Sequence, residues 1–190
     1  MAVLGLVLSL SGCTHWPGFS QEAQPVLMNL PAKFIGFRLE GRVSVKAGEE
    51  SFSGGMRWHR ETLKEELLLR TPLGQGVAEI RKAAAGMELT NSEGRIYRAP
   101  DIDTLVKQAI GLELPLRGLA WWVVGMPRPN VEYRAKPDSD GHLGELHQDG
   151  WQIFFSRYEE HAGQWLPGKL LARRGEELDV RLVVDAWELP

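Results

Sequence analysis

The sequence predicts a mainly β protein, an antiparallel meander of about eleven strands interrupted by one helical hairpin. Three observations carry this. From Phe37 onward, apolar and polar residues alternate with period two over most of the chain, the spacing of strands with one wet face. Clusters of Gly, Asn, Asp and Pro fall between those runs at short intervals, as turns do. Only between Asp101 and Pro127 does the apolar spacing become helical.

In the first strand Phe37, Leu39, Gly41, Val43 and Val45 alternate with Arg38, Glu40, Arg42, Ser44 and Lys46. Ala47-Gly48-Glu49-Glu50 turns into a second strand with Phe52, Gly54, Met56 and Trp58 on one side. Gly41, Gly54 and Gly55 inside strand patterns mark bending or close backbone approach. Glu65 to Thr71 and Gly76 to Lys82 read as the next pair, joined by Pro72-Leu73-Gly74-Gln75. Met87 and Leu89 begin a short strand, and Asn91-Ser92-Glu93-Gly94 turns into Arg95 to Arg98.

Asp101 is placed to cap a helix whose apolar face is Ile102, Leu105, Val106, Ala109 and Ile110, with Gly111 ending it. Pro115 opens a second helix carrying Leu116, Leu119, Ala120 and Val123, with Trp121 and Trp122 beside them. Gly125 and Pro127 stop it. Strands resume at Val131 to Ala135, His142 to Gln148, Trp151 to Tyr158, Lys169 to Arg173 and Glu177 to Leu189. In the last, Leu178, Val180, Leu182, Val184 and Ala186 form the apolar row.

Ahead of this domain, Ala2 to Leu10 is an uncharged apolar run. It falls short of the ~20 residues that span a bilayer as a helix, and it has the length of a signal-peptide core. Leu10-Ser11-Gly12-Cys13 closes it, and Cys13 is the single cysteine of the chain. That arrangement resembles a bacterial lipobox, in which the chain is cut before the cysteine and the cysteine is acylated. Residues 1–12 are then a lipoprotein signal peptide, 13–32 a lipidated N-terminus and tether, and 33–190 the folded domain. The alternatives are a secretory peptide cut elsewhere and a free, buried cysteine. No Lys or Arg precedes the run, where a signal peptide carries a positive n-region; a start upstream of Met1 is one reading of that departure. Val26, Leu27 and Leu30 suggest a short helical turn before Pro31.

Composition bounds the function. A net charge of -3 argues against a general nucleic-acid surface. One cysteine gives no disulfide framework. The five histidines stand far apart, and no zinc spacing, phosphate loop or nucleophile elbow is present. Asp138-Ser139-Asp140-Gly141 is too short for a calcium loop and reads as a plain turn. Glu65-Glu66 and Glu159-Glu160 read as solvated strand ends. An enzyme is therefore the less favoured class.

One-sided strands in this number must cover their apolar faces. Two sheets can pack as a sandwich, or one sheet can curl. A curled sheet with helices at its mouth either leaves an apolar hollow fit for lipid or fills it with its own side chains.

Phe37-Arg38-Leu39-Glu40-Gly41-Arg42-Val43, then Leu67-Leu68-Leu69-Arg70-Thr71-Pro72-Leu73-Gly74, then Leu116-x-x-Leu119-x-x-Trp122 with Gly125-x-Pro127, and a closing strand to Trp187 follow the lipobox in that order. Together they resemble the LolB family of outer-membrane lipoprotein receptors. The resemblance implies an open, incomplete antiparallel β-barrel with short helices covering an apolar cavity. It implies a monomer without cofactor, metal or catalytic residues. Such a protein accepts acylated lipoprotein cargo from a LolA-like periplasmic carrier and inserts it into outer-membrane lipid. Thr14, where the retention signal is Asp, suits outer-membrane sorting.

Two sites follow. Phe37, Leu39, Val43, Met56 and Trp58 from the early strands, Val180 and Leu182 from the last, and Leu119 and Trp122 from the second helix are the candidates for the cavity lining. They are the apolar faces of their elements. Pro72-Leu73-Gly74 places a leucine, poor in turn propensity, at a hairpin tip, and the resemblance makes that tip a membrane-insertion loop. The competing reading is an assembly lipoprotein with a filled core that binds a protein partner.

Overall fold

The computed structural model describes residues 36–190. The expected signal peptide, Cys13, the tether and the helical turn near Leu30 lie outside the described residues. Eleven strands and two helices follow in order: β1 (Gly36–Ala47), β2 (Glu50–Glu61), β3 (Glu65–Arg70), β4 (Gly76–Ala83), β5 (Gly86–Asn91), β6 (Ile96–Ala99), α1 (Ile102–Ile110), α2 (Leu116–Trp122), β7 (Tyr133–Pro137), β8 (Leu143–Gln148), β9 (Trp151–His161), β10 (Gln164–Arg174) and β11 (Leu178–Glu188).

All strands belong to one sheet, ordered β6-β5-β4-β3-β2-β1-β11-β10-β9-β8-β7. Every pairing is antiparallel, including the one that closes the sequence, β1 with β11. The first and last described strands thus meet at the centre, and among the described residues β6 and β7 are unpaired edges. The sheet is an open barrel, and the segment linking its two edges carries both helices. The expected fold class is the observed one.

The alternation in β1 and β2 holds in the structure: Phe37, Leu39 and Val45 are buried, as are Met56 and Trp58. Two glycines are required by close approach. A Cβ on Gly41 would lie 2.2 Å from the Val183 carbonyl oxygen, and one on Gly54 would lie 2.0 Å from that of Arg70. Gly55 has no such neighbour on the backbone.

The register shifts between Glu40 and Gly41: Glu40 faces Ala186, Gly41 faces Val184, and Asp185 is the extra residue. This corrects the apolar row expected for β11. Past the bulge the phase inverts, so Ala186 is exposed. Trp187 turns inward instead, its ring 5.8 Å from Phe37 and edge-on to it. Phe37 also meets Trp58 edge-on at 5.3 Å.

α1 carries the caps its sequence announced. Asp101 accepts from the backbone N–H of Asp103 at 3.1 Å and Thr104 at 3.0 Å. The Thr104 backbone bond is the main cause that holds its carboxyl below the ordinary range. Gly111 ends the helix at φ 76, its N–H donating to the Lys107 carbonyl. Asp103 joins the two helices, accepting from the Arg117 backbone N–H at 3.0 Å and from its Nε at 2.7 Å.

A buried and a half-buried polar side chain anchor tryptophans of the interior. Gln148, at the end of β8, is 3% exposed. Its Oε1 accepts from Trp122 Nε1 at 2.9 Å and from the Arg128 N–H at 2.8 Å. Its Nε2 donates to the Arg128 carbonyl at 2.9 Å and the Val131 carbonyl at 3.3 Å. One side chain therefore pins α2 and the segment behind it to the sheet. Glu65, expected to be a solvated strand end, accepts from Trp58 Nε1 at 3.2 Å. The indole needs a buried acceptor, and the register places Glu65 within its reach.

Candidate functional site

The inner faces of β1 to β5 and β11, with α1, the 111–115 link and α2, enclose an apolar hollow of about 270 Å³. Of the sequence candidates, Val43, Met56, Trp58, Leu119, Val180 and Leu182 stand in its lining. Phe37, Leu39 and Trp122 stand apart from it. Phe37 is packed between Trp58 and Trp187 at the far end of the sheet, and Leu39 pairs with both tryptophans in the ladder. Trp122 is held to Gln148. One end of the barrel is thus filled by its own side chains and the other is hollow.

The exposed members of the lining are Glu50, Ser51 and Ile110, which mark the mouth. Glu50 opens β2, next to the β1–β2 turn. Antiparallel strands reverse direction at each step, so the β1–β2, β3–β4 and β5–β6 turns share this end. The β10–β11 turn joins them, since the Gly48 N–H donates to the Glu177 carbonyl at 2.9 Å.

Leu73 tips the β3–β4 turn at that same end and is 90% exposed. The turn is built as its residues require. The Gly74 N–H donates to the Thr71 carbonyl at 2.9 Å, and the Thr71 N–H donates to the Gln75 carbonyl at 2.8 Å. Gly74 takes φ 85, a left-handed conformation open to glycine. Pro72 fixes the first corner, and Leu73 is left with no packing partner on the sheet.

Three polar ties hold the helices over the hollow. Arg60 Nη1 donates to the Ala120 carbonyl at 3.1 Å, its guanidinium 5.3 Å from the centre of the Trp121 ring. Burial lowers its pKa. Gln148 holds α2 from the other side. At the mouth, Glu113 accepts from Lys107 Nζ at 2.5 Å and from Arg174 Nη2 at 3.2 Å, tying the interhelical link to β10. These cations, Lys107 foremost, keep the Glu113 carboxyl below the ordinary range.

Asp138, Asp140 and His142 bring ligand atoms within 4.8 Å of one another. Asp138 Oδ1 is already committed to the N–H groups of Asp140 at 3.0 Å and His142 at 2.8 Å. The group is the turn between β7 and β8, built as an Asx turn.

Comparison with known proteins agrees with this geometry. The chain is 37% identical over 186 residues to the outer-membrane lipoprotein LolB of Thiobacillus denitrificans, covering 98% of this chain and 95% of that one. It is 35% identical over 192 residues to the same-named protein of Nitrosomonas europaea, covering 98% and 91%. The family described as outer membrane lipoprotein LolB matches residues 36–187. The chain belongs to the LolB family. A solved domain from Vibrio parahaemolyticus, described as an outer membrane lipoprotein-sorting protein, superposes with a TM-score of 0.55 at 9% identity, covering 83% of this chain and 86% of that one. At that identity the likeness is one of fold.

LolB membership makes this an outer-membrane lipoprotein receptor and not an enzyme. The matched span contains the whole hollow and the Leu73 turn. Sequence reasoning passed over much of the LolB hollow, namely Leu67, Leu69, Ile80 and Leu89, together with Val45 and Val106. A signal for two of them was present: Leu67 and Leu69 alternate, and their register puts them opposite Trp58 and Met56.

Proposed function

We propose that this LolB-family protein takes acylated lipoproteins from a LolA-like periplasmic carrier, holds their acyl chains in the hollow and delivers them into outer-membrane lipid past the Leu73 turn. It acts as a monomer anchored at the periplasmic face through lipid on Cys13.

The energetic demand is large. Each buried methylene is worth ~0.8 kcal/mol, so exposing three long chains to water costs on the order of tens of kcal/mol. A receptor must offer apolar surface without covalent chemistry, and the hollow does so. The observation that carries the reading is the shared end: the mouth of the hollow and the exposed Leu73 lie at the same end of the sheet. A chain leaving the hollow emerges where an apolar tip can meet a bilayer. The hollow of about 270 Å³ falls below the roughly 300–1,000 Å³ of ordinary ligand pockets. Several long chains therefore require α1 and α2 to swing outward.

Val43→Trp tests the reading, because Val43 lines the hollow without being fully buried. Transfer of a labelled lipoprotein from loaded LolA should fall at least ten-fold while circular dichroism is unchanged. Unaltered transfer by a folded variant would favour a filled core and an assembly role.

A further inference from the structure

The inner row of β2 runs Trp58, Met56, Gly54, Phe52, and its next inward position is Glu50. By the same alternation Glu50 stands opposite Ala47, which also lines the hollow. A carboxylate therefore completes an apolar stripe at the point where it meets water. A second carboxylate at the mouth, Glu113, is neutralised by Lys107 and Arg174. The Glu50 side chain has no hydrogen bond or ion pair with any described residue; on its other side it borders a polar groove lined by Lys46, Asp179 and Arg181. The mouth of an apolar hollow thus carries, directly on its lining, a carboxylate that no ion pair holds.

Such a charge has no value for holding acyl chains, which contribute only apolar surface. It acts on what remains outside when the chains are in. The head of a triacylated cysteine is uncharged: two glyceryl esters, a thioether and an N-acyl amide whose N–H is a donor. Free fatty acids and the acidic phospholipids of a bilayer also offer acyl chains, but each carries a carboxylate or phosphate at the head. A carboxylate at the mouth accepts the amide N–H of the first and repels the second. At about 4 Å across a partly wet mouth, repulsion between unit charges disfavours the anion on the order of ten-fold.

We propose that Glu50 is a specificity-determining residue of the hollow, selecting acyl chains borne on an uncharged amide head and rejecting those borne on an anionic one. This rests on the hollow being the acyl site. It gives a receptor working against a membrane a means of staying free of that membrane's own anionic lipids.

The test uses the full-length chain carrying Cys13→Ser, so that no acyl group of its own competes. A fluorescent N-acyl amide is displaced by N-palmitoyl-S-methylcysteine methyl ester, a thioether that is uncharged, and separately by palmitate, both at pH 8, and the ratio of the two dissociation constants is read. The native residue should favour the uncharged ligand. Glu50→Gln should shrink the ratio about ten-fold, chiefly by tightening palmitate, since the glutamine Oε1 still accepts from the uncharged ligand, and Glu50→Lys, which removes the acceptor and the repulsion together, should reverse the preference. A ratio unchanged in both folded variants overturns the role of Glu50 while leaving the acyl hollow standing. Failure of the native chain to bind either ligand overturns the hollow reading, and this proposal with it.

Discussion

Replacing Leu73 by glutamate separates delivery from acceptance. Leu73 exposes 90% of its surface and touches nothing whose loss would loosen the fold. Its substitution should change stability by no more than ~0.5 kcal/mol. In the proposed delivery step the same side chain enters lipid, where burying a leucine is worth ~1.5–3 kcal/mol. At ~1.4 kcal/mol per factor of ten, losing that contact slows delivery about 10- to 100-fold, and a charge at the tip adds its own desolvation cost. The hollow is built from other residues, so uptake from loaded LolA should stay within about two-fold. The assay follows cargo from LolA to the receptor and then into liposomes, with circular dichroism as the folding control. Leu73→Phe, which keeps a large apolar tip, should deliver normally. Equal delivery by Leu73→Glu and the parent would refute the reasoning. So would loss of uptake in a folded protein, which would place Leu73 at the carrier interface.

Gln148→Ala removes four hydrogen bonds and leaves Trp122 Nε1 without its acceptor. It should cost about 2–4 kcal/mol, read as a lower urea midpoint at unchanged slope. Asp101→Ala removes the α1 cap and should cost ~1 kcal/mol at pH 7, whereas Asp101→Asn keeps an acceptor but loses the charge and should cost less than Asp101→Ala. The folded carboxyl of Asp101 lies below its unfolded value. Its contribution is therefore present above pH ~4 and is lost as pH falls through the folded pKa. Asp101→Asn should flatten that part of the acid unfolding curve, which urea titrations between pH 2 and 6 would show.

Much of this fold was legible because its signals are local. The period-two rows of β1 and β2, the Asp101 and Gly111 caps, and the Pro72-Leu73-Gly74 turn each depend on residues a few places apart. What escaped depends on partners far along the chain. The bulge that turns Ala186 out and Trp187 in arises where Glu40 and Gly41 meet Ala186 and Val184, and no pattern within β11 announces it. Gln148 closes an expected strand, yet it supplies an acceptor to Trp122, twenty-six residues away; Glu65, read as a solvated strand end, is the local exception, turned to Trp58 by the β2–β3 register. Alternation also tells which face of a strand is apolar, not whether facing side chains meet. Hence Phe37, Leu39 and Trp122 were indistinguishable from Val43 and Leu182, although tryptophan packing fills one end of the barrel and leaves the other open.

The central claim is that cargo acyl chains occupy the hollow between the β1–β5 inner face and the helices. Site-specific photocrosslinking tests it most directly. A benzophenone side chain is placed at Leu69, in the lining, or at Leu171, whose partners Arg181 and Phe154 put it on the outer face. Each protein is mixed with LolA loaded with a lipoprotein labelled in its acyl chains, and then irradiated. The account predicts acyl label on the Leu69 position and none above background on Leu171, with the Leu69 adduct lost when liposomes are added before light. Label on the outer face alone, or on neither position while transfer proceeds, would contradict it.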